Sequence, residues 1–255
     1  MAWFDWPFIL SSVFAQLSIG AFLILGTVIF SGKLCFGQSD RLHRTMPVLW
    51  LMLFASLILR EVNLMLSQIH SVYSFSSEAM LVTIFFVLAL LYWFAEKALL
   101  GSDKLRKVML FVVVLSGLVY LGHGLVQRSE QWLVAAHFIA TTLCGGALLA
   151  HASLVRAEHK VDEVNKYLPR LGAIIGVVCF LTGVPQLADL AARAEIHDEI
   201  GPFVAHVFSL GLLLAAVGVW LMPILTKSKP VLNVMTFALG LIFISSYCAG
   251  VGYSI

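Results

Sequence analysis

Charge is what this sequence has least of. Of its 255 residues only 12% are Asp, Glu, Lys or Arg, against 60% hydrophobic, and the mean hydropathy is +0.97. A soluble domain carries about 25% charged and roughly 45–50% apolar residues, so a soluble fold is excluded and a polytopic membrane protein is indicated. The formal net charge is only +2 and no run of five basic residues occurs, so no phosphate-binding surface is offered and nucleic acid is set aside as a partner. Paired cysteines are also lacking. Cys35, Cys144, Cys179 and Cys248 are scattered without a CxxC, which leaves neither a disulfide framework nor the four thiolates that an iron–sulfur cluster needs. Any such cluster belongs to a partner. An internal repeat is missing, and with it the inverted-repeat signature of many transporters. The opening MAWFDWPF has no lysine or arginine. The apolar run behind it, Pro7 to Phe30, exceeds the roughly 7–15 residues of a signal-peptide core, so it is expected to remain as a membrane span.

Long apolar runs are what the chain does have. A helix needs about 20 such residues to cross roughly 30 Å of hydrocarbon with every backbone group satisfied internally. Eight are read, near residues 7–30, 46–66, 78–95, 108–126, 132–154, 169–191, 203–225 and 230–252. They predict an all-α integral membrane protein: one transmembrane domain, an eight-helix bundle. Thirteen of the sixteen basic residues fall at the odd-numbered connections, among them Lys33, Arg41, Arg44, Lys97, Lys104, Arg106, Lys107, Arg156, Lys160, Lys227 and Lys229. The even connections hold only Arg128 and Arg193, and Arg60 is left within a span. By the positive-inside rule the odd connections face the cytoplasm. Both termini are then expected on the outer, periplasmic side.

Ionisable residues within spans are costly, by at least about 2.5–3.5 kcal/mol at a helix centre, and usually mark a pathway or a site. Here they gather at the expected outer level. Arg60, Glu61 and Asn63 end the second span, Glu78 opens the third, His123 and Gln127 end the fourth, His137 starts the fifth, Gln186 and Asp189 end the sixth, and His206 starts the seventh. Arg60, Asn63 and Ser67 share one helix face, whereas Glu61 points about 100° away. Two readings stand. In one, Arg60 snorkels to the headgroups with Glu61 as partner, and Glu78 is a first-turn carboxylate favoured by the helix dipole. In the other, these groups line a pocket where a polar-headed lipophilic molecule gives up protons, as quinol oxidation requires.

Histidine raises a further possibility. His137 and His151 stand 14 residues apart on one span, a separation of about 21 Å on one helix face, which resembles half of the two-haem arrangement of cytochrome b. The matching second pair is missing, and the reading is against haem. A b-type cytochrome anchor and a small proton-coupled transporter remain as rivals, although a transporter needs a polar route to the other side, where only His151 interrupts the aliphatic halves of the spans.

Particular segments carry more than periodicity. WFDWPFILSSVFAQLSIGAFLIL at the N-terminus, SSEAMLVTIFF from Ser76, and YLPRLGAIIGVVCFLTGVPQLADLA from Tyr167 followed by Ile196 and His197 resemble the membrane anchor subunits of anaerobic dimethyl sulfoxide reductases. The resemblance runs along nearly the whole chain. It implies an anchor without haem or metal in the bacterial inner membrane that oxidises menaquinol near the periplasmic face. By the same resemblance, electrons would pass to an iron–sulfur subunit docked outside, then to a molybdopterin catalytic subunit that reduces an S-oxide or N-oxide. The family glutamate at the start of the third span falls on Glu78. The family histidine at the end of the second span is replaced here by Asn63. Either His70 or His123 supplies the missing base, or quinol is handled differently, or the site is weaker. The roles expected on this basis are proton acceptance by Glu78 and Glu61, and quinol binding by Arg60, Asn63, His70, His123 and Glu78.

Overall fold

A 25-residue helix rises about 37 Å, and one that is apolar on every side must be surrounded by protein or lipid rather than water. In the computed structural model, which describes residues 6–32, 34–66, 77–98, 103–158, 161–197 and 199–253, helix α1 (Trp6–Phe30) is of this kind, and so is α6 (Trp132–Arg156). The other helices are α2 (Phe36–His43), α3 (Pro47–Leu66), α4 (Ser77–Ala98), α5 (Asp103–Gln127), α7 (Asp162–Gly183), α8 (Gln186–His197), α9 (Gly201–Leu225) and α10 (Leu232–Tyr253). No strand occurs among the described residues. Among the described residues eight helical stretches are long and apolar enough to cross a membrane, as the apolar runs predict; α2 and α3 together contribute one, and α7 and α8 another. With eight crossings, the start of α1 and the end of α10 fall at one end of the bundle, the terminal end. Arg41, Lys104, Arg156 and Lys227 fall at the opposite, basic end.

The axis of the bundle is α1 against α6. Both apolar windows are 67% buried, against 17–33% in the other six crossings. They approach so closely because Gly20 lies over the Thr142 carbonyl and Gly146, and a Cβ on Gly20 or Gly146 would overlap the opposite backbone. Lipid is as apolar as leucine, so membrane helices associate by close packing and polar clasps rather than by the hydrophobic effect. The clasps are serine pairs. Ser56 on α3 donates to the Ser11 carbonyl at 2.7 Å, with the two hydroxyls 3.1 Å apart, and Ser245 on α10 donates to the Ser209 carbonyl of α9 at 2.8 Å. The faces left over carry exposed Phe54, Phe94, Phe111, Ile174, Phe208 and Phe237, a surface suited to hydrocarbon.

The sixth crossing is interrupted at Pro185, which has no N–H to continue the helix. Leu187 N–H turns to the Val184 carbonyl at 3.1 Å and Ala188 N–H to that of Pro185 at 3.2 Å, so the Gly183 carbonyl loses its helical donor. Within a membrane such a group must be satisfied again. His206 on α9 donates from Nε2 to the Gly183 carbonyl at 3.1 Å, and the Gln186 amide donates to the Thr182 carbonyl at 2.7 Å. Two buried polar side chains thus repair the break.

Toward the basic end, His151 is 1% exposed and has both ring nitrogens engaged. Trp220 Nε1–H donates to Nδ1 at 2.8 Å, and Nε2 contacts the Asn165 Oδ1 at 3.1 Å. The acceptor role of Nδ1 assigns the proton to Nε2. The indole fits because Gly172 offers no Cβ to meet it.

Candidate functional site

At the terminal end, α3 finishes beside the start of α4. Arg60 Nη1 lies 3.8 Å from Glu78 Oε2, with both side chains mostly buried (18% and 15% exposed). Glu78 occupies the first turn of α4, where unpaired N–H groups and the helix dipole attract a carboxylate. Its other oxygen, Oε1, accepts from the Tyr120 hydroxyl at 3.4 Å. One residue earlier on α4, Ser77 Oγ is 2.8 Å from His123 Nε2. The consecutive pair Ser77–Glu78 therefore meets His123 and Tyr120, three residues apart on one face of α5. The Arg60 guanidinium also lies 5.9 Å from the centroid of the Phe8 ring on α1.

Of the residues expected at the site, Arg60, Glu78 and His123 are brought together. Asn63 is half-buried at the next turn of α3 on the Arg60 face, while Glu61 is exposed. His70 and Ser67 lie outside the described residues. Sequence reasoning passed over Tyr120, Ser77 and Phe8. Tyr120 carried a signal, since it stands one turn before His123 on the same span.

The crevice between Arg60, Glu78, Ser12 and Ser56 has a volume of about 10 Å³, room for no more than about one water molecule. The crevice is therefore too small to take a ring-sized molecule between Arg60 and Glu78 inside the bundle. A far larger cavity, about 640 Å³, lies across α1, lined by residues of α1, α6, α8 and α10 and by the α5–α6 turn. Gln127, His137, Gln186 and Asp189 line it. The polar belt expected at this level is thus two clusters, with α1 forming a wall of both; Phe8 and Ser12 line each. His137 stands between α6 and α7, its Nδ1 donating to the Cys179 carbonyl at 3.1 Å, and its ring is 6.0 Å from that of His206.

These features define a class: a multi-pass helical membrane subunit, without a soluble domain among the described residues, whose buried charges collect at one interface. Over residues 1–251 the chain matches the family described as DMSO reductase anchor subunit (DmsC), and it belongs to that family. It is similar to two proteins of Escherichia coli (strain K12). One, the anaerobic dimethyl sulfoxide reductase protein YnfH, is 26% identical over 95% of this chain and 90% of its own length. The other, the C subunit of anaerobic dimethyl sulfoxide reductase, is 24% identical over 92% and 88%. No solved structure matches. The protein is accordingly a membrane anchor subunit of the dimethyl sulfoxide reductase type, a multi-pass protein of the bacterial inner membrane.

Proposed function

We propose that this anchor oxidises menaquinol at the Arg60–Glu78–Tyr120 cluster and passes the electrons to an iron–sulfur subunit on the terminal side, which feeds a molybdopterin subunit reducing an S-oxide or N-oxide. The observation that carries this reading is the Arg60–Glu78 ion pair at the helix ends, the kind of intramembrane charge that marks a site. Oxidation of one quinol yields one quinone, two electrons and two protons. The Glu78 carboxylate accepts the first hydroxyl proton, with Arg60 and Tyr120 fixing its orientation. His123, one residue away through Ser77, accepts the second. Asn63 hydrogen-bonds the ring oxygen on the Arg60 face, and Glu61 on the exposed face of α3 hands protons to water.

The terminal end faces the periplasm in this scheme, following the asymmetry of basic residues. Protons and electrons leave on the same side, so turnover moves little net charge across the membrane. The haem-bearing alternative draws no support from His151, whose two nitrogens are engaged by Trp220 and Asn165. The transporter alternative needs a polar path past the α1–α6 crossing, where glycine backbones meet.

The reading is tested in membranes that hold the anchor with its partner subunits. Menaquinol is added anaerobically without a terminal acceptor, and the partner's clusters are followed by electron paramagnetic resonance. Quinol-driven cluster reduction that vanishes when the anchor is deleted supports the proposal. Equal reduction in partner-containing membranes without the anchor refutes it.

A further inference from the structure

The cavity of about 640 Å³ has no part in the reaction just described, yet its size lies in the range of about 300–1,000 Å³ typical of small-molecule sites. From Phe8 to Gln16 along α1 it descends about 12 Å by helical rise, well below the terminal surface. Gln186 on its α8 wall is 6% exposed. The Thr182 carbonyl takes the amide N–H at 2.7 Å, and this assigns which end of the amide is nitrogen. The opposite atom, Oε1, is buried and has no hydrogen-bond donor among the described residues. A buried acceptor without a donor is unfavourable, so an occupant of the cavity that brings an O–H or N–H within reach of it is favoured.

The remaining lining narrows the class. The charged groups, Arg128, Asp189 and Arg193, sit toward the terminal end, and Arg128 is already stacked over Phe138 at 4.3 Å and bonded to the Gly124 carbonyl at 3.2 Å. Deeper positions such as Gln16 and Thr141 are neutral, and Val13, Phe138 and Leu190 supply apolar wall. The deeper part of the cavity thus suits a neutral ring with a hydroxyl donor.

We propose that this cavity is a second binding site for the hydroxyl-bearing ring of a quinol, its O–H donating to Gln186 Oε1, on the far side of α1 from Glu78. The choice of a quinol over another phenol rests on the proposed function; the site itself does not.

The probe is a short-chain naphthoquinol, titrated anaerobically onto membranes containing the full-length anchor with its partners and no terminal acceptor. Two classes of site are expected. Gln186→Leu weakens one class by about tenfold, the size of one hydrogen bond, and Val134→Phe, which fills the cavity from a half-buried lining position, abolishes the same class. The oxidised naphthoquinone, which has no hydroxyl donor, binds that class correspondingly more weakly. Glu78→Gln alters only the other class. Should Gln186→Leu fail to accumulate, Val134→Phe and the naphthoquinone comparison decide. A single class of site, or a second class indifferent to Val134→Phe, overturns the inference and means that water alone meets Gln186. A Glu78→Gln protein with both classes and turnover intact would instead remove the proposed function and leave this site standing.

Discussion

Arg60 and Glu78 face each other at 3.8 Å between the end of α3 and the start of α4. Neither is fully enclosed. Each is buried enough that losing its partner leaves a charge at the edge of hydrocarbon, and exposed enough that a proton can leave. For a mostly buried pair the cost of desolvating both charges offsets much of their attraction, so pairing alone does not explain two charges at the margin of an apolar span. Placement beside a phenol, a histidine and a helix N-terminus is what the proposed proton chemistry at that point requires.

Tyr120 is buried, and its hydroxyl reaches Glu78 at 3.4 Å, a long hydrogen bond that positions the carboxylate. Tyr120→Phe keeps the ring and removes the hydroxyl. Quinol-dependent turnover is expected to fall about threefold to tenfold, the range of one ordinary hydrogen bond, with the protein's level in the membrane unchanged. Wild-type rates in steady-state assays would show that the phenol does not orient Glu78.

Asn63 stands at the next turn of α3 beyond Arg60, half-buried, where the family resemblance puts a histidine. Asn63→His supplies a ring nitrogen that accepts a proton, and proton transfer by a positioned base is worth about 10²–10⁴-fold. Because Glu78 and His123 already serve in the proposed mechanism, only part of that gain is expected: turnover rises several-fold, read as kcat at saturating quinol. A drop in kcat would mean that the amide itself makes the productive contact.

His151 predicts the opposite separation of effects. His151→Leu strands the fully buried Trp220 indole N–H, removes the partner of the half-buried Asn165 amide, and is expected to destabilise the bundle by about 1–3 kcal/mol. The measurements are the unfolding midpoint in denaturing detergent and, separately, the quinol oxidation rate per folded molecule, which stays the same. A selective loss of rate at normal stability would assign His151 to electron or proton transfer.

Much of this architecture is legible in the sequence because it depends on composition over long windows. Runs of about 20 apolar residues mark helices that can cross, and an arginine or glutamate inside one is conspicuous. The pairing of polar residues is not legible in the same way. Depth along each helix puts Glu78, His123, His137 and Gln186 in one belt, but which side of α1 each occupies follows from how the helices pack. That in turn depends on Gly20 meeting Gly146, a contact between residues 126 positions apart. Tyr120 escaped notice because a tyrosine near an interface is ordinary, although its spacing from His123 pointed to it. The break at Pro185 explains why His206 looks functional in sequence and proves to be bonded to a backbone carbonyl, and why the amide nitrogen of Gln186 is bonded to another.

The central claim, that Glu78 takes a proton from quinol, is tested most directly by single-turnover oxidation of menaquinol in membranes carrying the Glu78→Gln anchor with its partner subunits. Glutamine preserves shape and hydrogen bonding but cannot act as a base. The account predicts that quinol still binds and that the first-order rate of oxidation falls by about 10²–10⁴-fold. An unimpaired rate at saturating quinol would contradict it.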